Sequence, residues 1–98
     1  MSLNKPYLLH IETSTDVCSV GLSHGDVIES IIEDSNTRAH ASVITVYIQD
    51  LLREAGLKTS DLDGIVLSEG PGSYTSLRVG MSVAKGLCFG LGIPLISI

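Results

Sequence analysis

The residues able to do chemistry are few and widely spaced. Glu12 and Glu69 each close an apolar, β-prone run, and two carboxylates at neighbouring strand ends could share divalent metal ions for phosphoryl transfer. Such a site needs a third or fourth acid from a helix, and the first helical stretch offers none before Asp50. Three histidines, His10, His24 and His40, are candidate ligands, but a helical pair needs i, i+4 spacing so that both rings meet one ion. His40 has Ile44 at that offset, His10 falls in a strand and His24 at a hairpin tip, so structural or solvated roles are expected for all three. No Ser–His–Asp set suggests a nucleophile. Two small-residue segments could receive an anion, because short side chains let backbone N–H groups approach phosphate oxygens: Glu12-Thr13-Ser14-Thr15 and Gly70-Pro71-Gly72-Ser73. The same residues would also serve to cap tight turns, and both readings stay open here. Cys18 and Cys88 lie far apart, form no CxxC and are expected to be buried, reduced thiols.

The elements that must position these residues follow from periodicity. Tyr7–Thr13 is apolar and β-prone, and a turn at Ser14-Thr15-Asp16 leads into a second strand, 17–22, with apolar residues at 18, 20 and 22. A hairpin turn at Ser23-His24-Gly25-Asp26, with Gly25 free to take positive φ, gives a third strand at 27–33. From about Arg38 to Ala55 the period becomes helical. Ile44, Tyr47, Ile48, Leu51, Leu52 and Ala55 fall within an arc of roughly 140° at about 100° per residue, and Gly56 stops the helix. A capped polar turn at 58–63 precedes a short unbroken apolar strand, Gly64–Ser68, of the kind buried at the centre of a sheet. The break at 70–73 starts a second helix, about Thr75 to Gly90, capped by Ser73 or Thr75, and a turn at 91–93 leads to a final strand, 94–98. The order is βββαβαβ. Both late strands arrive through helical crossovers and lie parallel to their neighbours, which predicts an α/β fold with a mixed sheet of order 3-2-1-4-5, a ribonuclease-H-like core. On that topology Glu12 and Glu69 end adjacent strands.

The second helix is apolar on two sides. Leu77, Gly80, Met81, Ala84, Leu87 and Cys88 form one face and Val79, Ser82, Val83, Gly86 and Gly90 another, leaving Arg78, Lys85 and Phe89 on a narrow remainder. One face can cover the sheet. The other, with Ser82, Gly86 and Gly90 at i, i+4, i+8, is a flat groove that a second helix could approach closely. Each interior glycine costs roughly 1 kcal/mol against alanine, so a packing role is the natural offset, either against the first helix or against a partner. Val43 and Val46, off the main stripe of the first helix, point to the same interface.

At 98 residues the chain supports a single lobe with one core. Its hydrophobic fraction of 44% and mean hydropathy of +0.36 are high for so small a domain, consistent with apolar surface reserved for a partner. A net charge of −5, with only six Lys and Arg, opposes a phosphate-tracking groove, so nucleic acid is expected to be contacted only indirectly. The start of the chain lacks the pattern of a secretory signal, and the one apolar stretch long enough to span a membrane, 79–98, contains Lys85, four glycines and Pro94. A cytoplasmic protein without a membrane segment is expected.

Two ordered segments carry a specific resemblance. His10-Ile11-Glu12-Thr13-Ser14-Thr15 with Cys18-Ser19-Val20 resembles the first-strand motif of the TsaB (YeaZ) family, and Glu69 to Gly80 (EGPGSYTSLRVG) resembles its Gly-Pro-Gly-Ser-aromatic-Thr-x-x-Arg-x-Gly segment. His40-Ala41-Ser42, Ala55-Gly56-Leu57 and Ser60-Asp61-Leu62-Asp63 also fit, so the resemblance spans nearly the whole chain. It implies the amino-terminal lobe, residues 1–98, of an actin/hexokinase-like protein whose second lobe is absent from this chain. It further implies a non-catalytic subunit in the synthesis of N6-threonylcarbamoyladenosine in tRNA. Such a subunit forms a homodimer or a heterodimer with the transferase TsaD, an allied protein of the glycoprotease group, in a complex that includes the ATPase TsaE. The expected interface is Val43, Val46, Val79, Ser82, Val83, Gly86 and Gly90. No cofactor is then expected on this chain, ATP or ADP entering at the level of the complex. The rival implications are an actin-like nucleotide-binding enzyme, holding phosphates near Glu12, Thr13, Ser14, Gly70, Gly72 and Ser73, a carboxylate-metal nuclease, and a glycoprotease-type peptidase. Glu12 stands where nucleotide binders of this fold carry Asp, displacing the carboxylate by about a bond length and opposing magnesium-assisted phosphate binding.

Overall fold

A computed structural model describes residues 5–13, 18–34, 41–68 and 74–97. Three strands come first: β1 (Tyr7–Thr13), β2 (Cys18–His24) and β3 (Val27–Asp34). Helix α1 (Ala41–Ala55), a 3-10 turn (Thr59–Asp61), β4 (Gly64–Ser68), α2 (Tyr74–Leu91) and β5 (Leu95–Ser97) follow. The sheet order is β3-β2-β1-β4-β5, antiparallel through the meander and parallel for β1–β4 and β4–β5, as the crossover argument requires.

The second strand runs two residues further than the alternation of apolar residues suggests. Ser23 and His24 look like turn residues, yet both stay in the ladder because each finds a partner on β1. Ser23 is buried and its hydroxyl lies 2.8 Å from His10 Nε2, while the His24 ring stacks on Tyr7 with centroids 4.0 Å apart and planes 8° from parallel. A β-bulge at the Leu22/Ser23 step accommodates Glu29 as the extra residue on β3. The turn is thereby confined to Gly25 and Asp26, with Gly25 at φ +65° and its N–H donated to the Pro6 carbonyl at 2.9 Å.

Both helices end on a glycine in the left-handed region. After α1 the Gly56 and Leu57 N–H groups return to the carbonyls of Arg53 and Leu52, and after α2 the Ile93 N–H returns to Cys88. Asp63 fixes where β4 begins relative to β1, accepting from the Tyr7 N–H at 2.9 Å through its carboxylate and donating its own N–H to the Tyr7 carbonyl at 2.8 Å. The last strand is shorter than 94–98: Pro94 lies ahead of it, with its carbonyl accepting from Ile65, and residue 98 lies outside the described residues.

The two helices lie on the same face of the sheet. Leu9 and Ile11 of β1, Cys18, Val20 and Leu22 of β2, and Ile65 and Leu67 of β4 meet Ile44, Ile48, Leu51 and Leu52 of α1 and Ala84 and Cys88 of α2 in one core. Ala55, expected at the end of the α1 stripe, is exposed, because the last turn passes the sheet edge beside Val27 and Ser30. On the opposite face no described helix covers the strands. Leu8, His10 and Glu12 of β1 stand there in register with Ser23, Gly21 and Ser19 of β2 and with Gly64, Val66 and Ser68 of β4.

Candidate functional site

Glu12 and Thr13, the last residues of β1, are adjacent in sequence but opposite in direction, since successive side chains of a strand alternate between faces. Glu12 is exposed on the helix-free face, across from Ser19 on β2 and Ser68 on β4. Thr13 is 1% exposed and points under α2, where a Cβ built on Gly80 would lie 2.5 Å from its Oγ1 and 3.2 Å from its Cγ2. The glycine is what allows α2 to lie this close to the strand. Among the described residues Thr13 Oγ1 is also a buried polar atom without a hydrogen-bond partner.

Ser14, Gly70, Gly72 and Ser73, the remaining residues of the candidate phosphate region, lie outside the described residues, as do Glu69 and His40. Of the described members, Glu12 and Thr13 cannot line one ligand from the same side of the sheet. Among the described residues no three His, Cys, Asp or Glu side chains are placed to hold a metal ion.

The helix-free face carries a shallow groove of about 260 Å³ bordered by His10, Glu12, Ser19, Ile28, Ile31 and Ser68. Gly21, with no side chain to fill the centre, contributes its floor. Burial holds the His10 imidazole below its ordinary pKa, which favours the neutral ring bonded to Ser23. His24 packs on Tyr7 at the hairpin end with Nδ1 3.7 Å from Glu29, away from the groove. Both cysteines are buried thiols. Cys18 is raised in pKa by burial and then by the Asp34 carboxylate, and Cys88 is raised by burial, its Sγ lying 3.5 Å from the Pro94 carbonyl. Asp34 in turn accepts from the Tyr47 hydroxyl at 2.7 Å, joining the end of β3 to α1.

The expected helical interface divides in two. Val79 and Val83 are half-buried and pack against the core, and Val43 is half-buried on α1. Ser82, Gly86 and Gly90 on α2 and Val46 on α1 are exposed, Val46 at 49%. Among the described residues nothing lies within 4 Å of a Cβ built on Gly86 or Gly90, so these glycines do not serve packing against α1. Between them Phe89 is 93% exposed, the most exposed of the large apolar side chains described. Helical periodicity put Phe89 on the remainder beside Arg78 and Lys85; its position at i+3 from Gly86 is the sequence signal that joins it to the small-residue stripe.

Comparison with known proteins agrees with this architecture. The model of the family TsaD, tRNA N6-adenosine threonylcarbamoyltransferase, matches residues 27–98. The tRNA threonylcarbamoyladenosine biosynthesis protein TsaB of Haemophilus influenzae is 37% identical over 91 residues, covering 93% of this chain and 38% of that protein. The solved structure of YeaZ from Pseudomonas aeruginosa superposes with a TM-score of 0.86 at 35% identity, over 95% of this chain and 43% of that one. RuvC of Thermus thermophilus, in complex with a Holliday junction substrate, shares the fold at a TM-score of 0.60 and 10% identity over 95% of this chain and 64% of that one. The chain thus spans about two fifths of the length of the TsaB and YeaZ proteins it matches. Motifs, sheet order and matched residues agree that this chain belongs to the TsaB (YeaZ) family, within the wider group described by the TsaD model.

Proposed function

We propose that this chain serves the formation of N6-threonylcarbamoyladenosine in tRNA as a non-catalytic partner subunit. It holds the transferase TsaD against the exposed side of α2, in a complex completed by the ATPase TsaE. The observation that carries this reading is the surface of Ser82, Gly86, Phe89 and Gly90, where two helix glycines and an exposed aromatic ring meet no other part of the described chain. A helix that keeps glycines at a cost of about 1 kcal/mol each, without using the space they leave internally, has a reason to keep its surface flat for a second helix. Because the chain resembles both TsaB and TsaD, a surface that pairs with its own copy by two-fold symmetry also suits the related helix of TsaD in its place. The net charge of −5 supports contact with tRNA through the partner rather than by this chain. A cytoplasmic location follows from the same role.

The test is co-purification with TsaD and light scattering, on the wild type and on Gly86→Leu. Leucine is the better helix former and meets open space at position 86, so the variant should fold at least as stably as the wild type. Blocking close approach in a fitted interface costs about 1–3 kcal/mol, which predicts roughly 5- to 150-fold weaker association. A wild type that neither dimerises nor captures TsaD, or a Gly86→Leu variant that binds equally well, would overturn the proposal.

A further inference from the structure

We draw no further inference here: the strongest candidate, the helix-free face of the sheet with its groove between His10, Gly21 and the exposed Ile28 and Ile31, carries none because nothing among the described residues shows what covers it.

Discussion

Replacing Gly80 by alanine sets two known effects against each other at one contact. Alanine favours the helix over glycine by about 1 kcal/mol, so a solvent-facing substitution would stabilise α2. At position 80 the new methyl would lie 2.5 Å from Thr13 Oγ1, 3.2 Å from Thr13 Cγ2 and 3.4 Å from Leu67 Cδ1. Thr13 cannot retreat, because its backbone is paired with Cys18 and its side chain is 1% exposed. Overpacking of this kind costs about 1–3 kcal/mol, and after the gain in propensity a net loss of up to about 2 kcal/mol remains. In a chain of this size that lowers the melting temperature by up to roughly 16 °C. Thr13→Ala removes both crowding atoms. Alone it exchanges the burial of one methyl group, about 0.8 kcal/mol, for relief of an unpartnered hydroxyl, about 1–3 kcal/mol, and should be near neutral or mildly stabilising. Combined with Gly80→Ala it should recover most of the loss, giving a coupling of about 1–3 kcal/mol in the double-mutant cycle. Urea denaturation followed by circular dichroism reads all four proteins, the chain having no tryptophan. A Gly80→Ala variant more stable than the wild type, or strict additivity of the two substitutions, would refute the close approach of α2 to β1.

Three further outcomes are expected. Thr13→Val should leave stability unchanged or raise it, as judged by the same urea titration, because the hydroxyl it deletes has no partner among the described residues; a loss above about 1 kcal/mol would reveal one. Burial lowers the His10 pKa in the folded state, so the unfolded chain binds the proton first. Stability should fall as the pH drops through the ordinary imidazole range and level off below the folded-state pKa, and His10→Gln should flatten that part of the urea midpoint-versus-pH curve. Cys18 and Cys88 should resist a thiol reagent in the native state and both react in denaturant, since burial disfavours each thiolate; rapid labelling of Cys18 without denaturant would contradict its place in the core.

The strand order, the parallel setting of β4 and β5 and the stripe of α1 were legible because periodicity and crossover handedness are local or topological rules. Ile44, Ile48, Leu51 and Leu52 face the sheet at helical spacing whatever else the chain does, and Gly56 ends the helix through its own backbone freedom. The motifs around Glu12 and Gly70 identified the family from their order and spacing alone. The extension of β2 to His24 was not legible, because the partners of Ser23 and His24 are His10 and Tyr7, 13 and 17 residues away, and no local pattern encodes a cross-strand contact.

At the candidate site, residue types suggested two small-residue segments, one of them containing Glu12 and Thr13 together, while strand alternation placed Glu12 on the helix-free face and Thr13 beneath Gly80. For α2, sequence showed two apolar sides but not which glycines were in use. Gly80 is filled from outside by Thr13, whereas Gly86 and Gly90 face open space. Amino-acid order determines which faces a helix or strand can offer, because side-chain direction follows the backbone repeat. Which face is occupied depends on the distances between elements remote in sequence, and only the packed tertiary structure sets those.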